Sequence, residues 1–93
     1  MSYKLLITKS YTKKAIKFFK RHPDVLKRYA KTMEILEVNP HHPSLRLHKL
    51  QGRLGEYHSI SINLEYRVVI DFIIQNEEII PIDIGTHDEV YKP

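Results

Sequence analysis

The hydrophobic period of this chain changes once, and that change constrains the fold more than any other feature. Tyr11, Ala15, Phe18 and Phe19 recur at helical spacing, with lysines on the remaining faces. Leu26, Tyr29, Ala30, Met33 and Leu36 or Glu37 continue the same period after a break at His22-Pro23, because a residue before proline is biased away from helix. Asn39-Pro40 ends this second stretch. From Tyr57 onward the period is two. Residues 57–63 alternate, while Tyr66 to Ile74 and Glu78 to Ile84 are β-branched and apolar runs. The polar breaks between them, 63–65 and 75–77, have hairpin length. Tyr3 to Ile7 reads as a further short strand, and Ser10 as the cap of the first helix.

The predicted architecture is therefore α+β, in the order β-α-α-β-β-β. Two N-terminal helices cover one face of a four-stranded antiparallel sheet and leave the other face for a ligand. Ninety-three residues suit one domain, 1–93, with a modest core. Cysteine is absent, which removes disulfides and thiolate metal sites and fits a reducing compartment. The N-terminus lacks the pattern of a signal peptide. No apolar run approaches the ~18 residues of a membrane span. These features predict a cytoplasmic protein without a membrane partner.

Charge is divided unevenly. Residues 1–53 hold thirteen Lys/Arg and three Asp/Glu, a net +10. Residues 54–93 hold two Lys/Arg and eight Asp/Glu, a net −6. The basic block suits a polyanion such as nucleic acid, with Arg46, Lys49 and Arg53 as candidate RNA contacts. Single lysines on helix faces are equally well explained as solvated surface.

Three residues stand where a meander brings them to one sheet face. These are His48 before the strands, Arg67 early in the long strand, and His87 after the last one. Two imidazoles and a guanidinium form an acid–base set for phosphodiester cleavage. One His takes a proton from an attacking ribose 2′-OH and the other protonates the leaving 5′-oxygen. Arg67 balances the charge that builds on phosphorus. A structural role is the alternative for each: a surface histidine, or an arginine paired with Glu65 or Asp71. His41, His42 and His48 match no standard metal spacing. A phosphate loop, a nucleophile elbow and a zinc-protease helix are all missing.

The run His48-Lys49-Leu50-Gln51-Gly52, then Tyr57, then Glu65-Tyr66-Arg67-Val68-Val69, then Ile84-Gly85-Thr86-His87 and Tyr91 resembles the RelE/ParE superfamily of toxins. The resemblance is nearest to its YafQ-like branch, in which His–x–Leu–x–Gly and Gly–x–His segments are characteristic. It implies two helices on an antiparallel sheet and a ribosome-dependent mRNA endonuclease that needs no metal or cofactor. Cleavage by 2′-OH attack would leave a 2′,3′-cyclic phosphate. It also implies a cognate antitoxin as partner, with operator DNA bound only through the antitoxin complex. By position, His48 and His87 match acid–base histidines, Glu65 a catalytic carboxylate, and Arg67 an arginine against the scissile phosphate. Tyr66 and Tyr91 match aromatic residues that meet RNA. Ser61 stands where YafQ-like toxins carry a further histidine, and His58, three residues earlier, should face the opposite side of the strand. Two other readings share the fold. One is a gyrase-binding toxin of the ParE kind, against which the two matched histidines weigh. The other is a toxin that has lost its chemistry and only binds its partner.

Overall fold

The computed structural model describes residues 3–91. Its elements are β1 (Lys4–Leu5), α1 (Lys9–Arg21), α2 (Leu26–Val38), β2 (His48–Lys49), β3 (His58–Ser61), β4 (Tyr66–Ile73), β5 (Glu78–Thr86) and α3 (His87–Tyr91). Single 3₁₀ turns at Pro23–Val25, Pro43–Leu45 and Gly52–Leu54 join them. The α+β class and the β3–β4–β5 meander agree with the sequence reading. The sheet has five strands rather than four, in the order β1-β5-β4-β3-β2, and β1 lies parallel to β5. A parallel pair needs a long connection, and here both helices and the meander lie between the two strands.

α1 begins one residue before the expected cap. Thr8, not Ser10, occupies the N-cap, and its Oγ1 accepts from the Tyr11 N–H at 3.0 Å. Thr8→Ala should therefore cost about 1 kcal/mol, read as a lower midpoint in urea denaturation. α1 buries Tyr11 and Phe18 and half-buries Ala15 and Phe19, as its period requires. α2 buries Thr32, Met33 and Leu36, whereas Leu26 and Ala30, expected on the same face, are exposed. The 3₁₀ turn Pro23–Val25 delays the start of α2 to Leu26, which lines an outer groove with Ile16 and Tyr29.

The core lies between the helices and one sheet face. Leu36, Ile60, Val68, Ile70 and Ile79 are fully buried there, around Tyr11 and Leu45. The Tyr11 and Tyr29 hydroxyls share a 2.8 Å hydrogen bond, and burial drives the Tyr11 phenol well above its ordinary pKa. Arg28 ties α2 to the sheet by donating Nε to the Ile62 carbonyl at 3.1 Å. Pro81 lies in β5 where the ladder can spare its missing N–H. It falls beyond the last residue paired with β1, next to a register shift opposite Val69 and Ile70.

The second sheet face is only partly open. α3 folds back onto it, so that Val90 and Tyr91 pack with Val69, Leu50, Leu54 and Ile82. Thr86 and Glu89 start α3 as a reciprocal capping box. Thr86 N–H donates to Glu89 Oε1 at 2.8 Å, and Glu89 N–H to Thr86 Oγ1 at 3.2 Å. These bonds hold the Glu89 carboxyl below its usual pKa. Gly85 permits the close return, since a Cβ there would meet Glu89 Cβ at 3.2 Å and Oε1 at 3.0 Å. Among the described residues no helix is long and apolar enough to cross a membrane.

Candidate active site

β2 sets the geometry of the site. It was not legible as a strand, yet its register places His48 directly opposite Ser59 and Lys49 opposite His58. The turn before it puts Arg46 in the left-handed region (φ 50°), and the Arg46 carbonyl accepts from His48 Nδ1 at 3.0 Å. A carbonyl only accepts, so Nδ1 carries the proton and Nε2 of the neutral ring holds the lone pair. Nε2 lies 3.3 Å from Ser59 Oγ. Ser59 is fully buried and also accepts from the Tyr91 hydroxyl at 2.6 Å. A chain of hydrogen bonds thus runs from Tyr91 through Ser59 to His48.

His87 joins this group from the start of α3. Its ring stands edge-on to Tyr91, with centroids 4.2 Å apart at 88°. His48 and His87 line one cleft of about 490 Å³ together with Lys49, Leu50, Gln51, Arg53, Leu54 and Tyr91. Its lining contains two imidazoles and two cationic side chains but no carboxylate. Asp88, 3.6 Å from His87 Nδ1, lies just outside on the exposed side of α3. A cleft of this composition can hold a phosphodiester and offers a base and an acid for it. Among the described residues no three His, Cys, Asp or Glu come together as a metal site.

Other expected members are not gathered there. Arg67 shares a strand face with Val69, but its Nη1 donates to the Asn63 carbonyl at 2.8 Å and to the Tyr66 carbonyl at 3.4 Å. It is turned along the hairpin and does not line the cleft. Glu65 is exposed in that hairpin turn, where Asn63 Oδ1 accepts from the N–H groups of Glu65 and Tyr66 at 2.9 and 2.8 Å. Tyr66 lies on the helix-covered face, its ring against Phe18 and His22 in the core. Alternation along β4 sends Tyr66 inward, so its ring is not placed to stack on a base in the cleft. Arg46 is exposed at the approach and contributes its carbonyl to His48.

Ser61 borders a different recess, with Thr32, His42 and Leu45. His58 faces the helix side, as its odd offset requires, and meets Phe72 edge-on with centroids 5.5 Å apart. Its buried Nδ1 has no partner among the described residues. Burial, followed by the charges of Lys49 and His48, lowers the His58 pKa. The folded state therefore favours neutral His58, and its stability contribution is complete above the unfolded pKa of about 6.5. That contribution falls as pH drops through this value toward the lower folded pKa. His58→Phe should flatten the decline of Tm between about pH 7 and 5, measured against the unsubstituted protein in the same buffers.

Sequence reasoning missed Ser59 and α3. The Thr86-x-x-Glu89 pattern could have revealed α3. Ser59 gives no comparable signal, because a serine in an alternating strand resembles any other.

No protein-family model matches the sequence. A protein of Methanocaldococcus jannaschii described as "Putative toxin RelE4" is 30% identical over 90 residues, covering 97% of this chain and 92% of that protein. A copper-bound mutant toxin from Helicobacter pylori is 25% identical, with a TM-score of 0.66 over 98% of this chain and 100% of its own. The toxin–antitoxin complex DinJ–YafQ of E. coli gives a TM-score of 0.73 at 16% identity, over 98% of this chain and 99% of the matched one. The last likeness is one of fold alone. With the full-length similarity to RelE4, the shared architecture and the histidine cleft in hand, the chain belongs to the RelE/ParE superfamily of toxins, with YafQ among its structural relatives.

Proposed function

We propose that this protein is a metal-independent endoribonuclease that cuts mRNA on the ribosome, the 2′-OH attacking the adjacent phosphodiester. The observation that carries the reading is the cleft between β2 and α3, where His48 and His87 stand with Lys49 and Arg53 and no carboxylate. The two imidazoles supply proton transfer, and the two cationic side chains supply attraction for the backbone phosphate. Tyr91, its ring perpendicular to that of His87, is the residue proposed to orient the RNA. Glu65 and Tyr66 have no part in this scheme. Arg67 takes part only if the guanidinium leaves its two carbonyl acceptors.

A cognate antitoxin is the proposed protein partner, and operator DNA is reached through that complex. β4 and β5, the longest apolar strands, are interior to the sheet and covered on one face by the helices. Apolar surface lies instead on the outer side of the helices, where Ile7, Ile16 and Leu26 are each about half exposed around a groove floored by Tyr11 and Phe19. Lys20 borders that groove, and an acidic amphipathic segment suits both its apolar floor and the basic face of α1. One feature favours a toxin that binds without cutting, namely the engagement of Arg67 with the hairpin.

Induction in cells without antitoxin, followed by primer extension on a reporter mRNA, separates the readings. New in-frame 5′ ends and growth arrest are expected. Normal growth and intact transcripts with folded protein present would favour the binding-only form.

A further inference from the structure

With the His48 ring neutral, the hydrogen bonds around it run in one direction. The Arg46 carbonyl accepts from Nδ1–H, so Nε2 accepts and Ser59 Oγ donates to it. Ser59 in turn accepts from the Tyr91 hydroxyl at 2.6 Å. The lone pair of His48 is therefore already occupied, and the oxygen at the cleft end of the chain belongs to Tyr91. Ser59 is fully buried between the two, directly across the strand pair from His48.

Resting on the nuclease reading above, we propose that Ser59 is a positioning residue that couples Tyr91 to His48 as one general base. The ribose 2′-hydroxyl gives its proton to the Tyr91 oxygen, Tyr91 gives its own to Ser59 Oγ, and Ser59 gives its own to His48 Nε2. The 2′-oxygen forms its bond to phosphorus, and the bond from phosphorus to the 5′-oxygen breaks. Protonated His87, in the same cleft, supplies the proton that the leaving 5′-oxygen takes. His48 ends as imidazolium with Nδ1 still donating to the Arg46 carbonyl, and His87 ends neutral. Tyr91 and Ser59 return to their starting forms. This division makes His48 the terminal base and His87 the acid.

The coupling has a readout that needs no activity. In ¹⁵N spectra of the free protein, Ser59→Ala should shift the His48 Nε2 resonance. Tyr91→Phe should also shift it when Ser59 is present, and leave it in place in the Ser59→Ala background. In ribosome-dependent cleavage, Ser59→Ala should lower kcat on the order of 10–100-fold with KM unchanged. Ser59→Thr, which keeps the hydroxyl, should restore most of the rate. Tyr91→Phe should cost little more once Ser59 is alanine. An Nε2 resonance indifferent to Tyr91→Phe, or moved equally in both backgrounds of a folded protein, would overturn the coupling. If the unsubstituted protein cuts no mRNA, the nuclease reading fails, and the spectra alone decide whether Ser59 joins the two residues.

Discussion

Replacing His48 with alanine should lower the rate of mRNA cleavage by about 10²–10⁴-fold, the range expected for loss of a positioned acid–base group. The side chain is exposed, so its removal should leave thermal stability within about 0.5 kcal/mol of the original. What disappears is the end point of the proton path, since Ser59 Oγ then donates to nothing and Tyr91 is no longer backed by a base. His87→Ala should produce a loss of similar size. The double variant should be little worse than either single one, because residues that act as a unit are strongly non-additive. Lys49→Ala and Arg53→Ala should behave differently. They should raise KM and weaken the salt dependence of ribosome binding, because they act on phosphate and not on the proton. Single-turnover cleavage at saturating toxin separates the two classes.

The second large effect is on the fold. Leu36→Ala should destabilise the protein by about 3 kcal/mol and lower Tm by roughly 12–24 °C. Leu36 is fully buried where α2 meets the sheet, among residues from both layers. The cost combines lost transfer energy with a cavity that the packed helix and sheet layers cannot fully collapse. In a domain whose whole stability is about 5–15 kcal/mol, that is a large share. A urea curve with an unchanged slope and a lower midpoint is the expected result. Leu26→Ala, on the same helix but half exposed, should move the midpoint far less.

The sequence carried the layer arrangement because periodicity is a local signal. Tyr11, Phe18, Met33 and Leu36 fall inward for the same reason that the helical period names them. Ile60, Val68 and Ile70 follow the period of two in the same way. Local pattern does not carry pairing between distant segments. β2 is two residues long and exists only because His48 and Lys49 find Ser59 and His58, so the partner of His48 was not legible. The direction of β1 is likewise decided by β5, and its residues alone do not specify it.

The site was legible in part for the same reason. His48, His87, Lys49, Arg53 and Tyr91 line one cleft because a β-strand end and a short helix converge. Arg67 and Glu65 were assigned by position along the chain. Asn63 then organises their hairpin through its side chain and its carbonyl, and directs both away. Tyr66 illustrates the limit most clearly. An aromatic residue beside a strand arginine reads equally as a base-stacking platform or as core, and the packing of α1 decides for the core.

The most direct test is chemical. A ribosome programmed with mRNA carrying a single 2′-deoxy nucleotide at the cleaved position removes the proposed nucleophile and leaves every binding contact to the backbone in place. The expected result is no cleavage at that position, with the all-ribose mRNA cut there to a 2′,3′-cyclic phosphate. Equal cleavage of the deoxy-substituted mRNA would contradict a reaction driven by 2′-OH attack in the His48–His87 cleft.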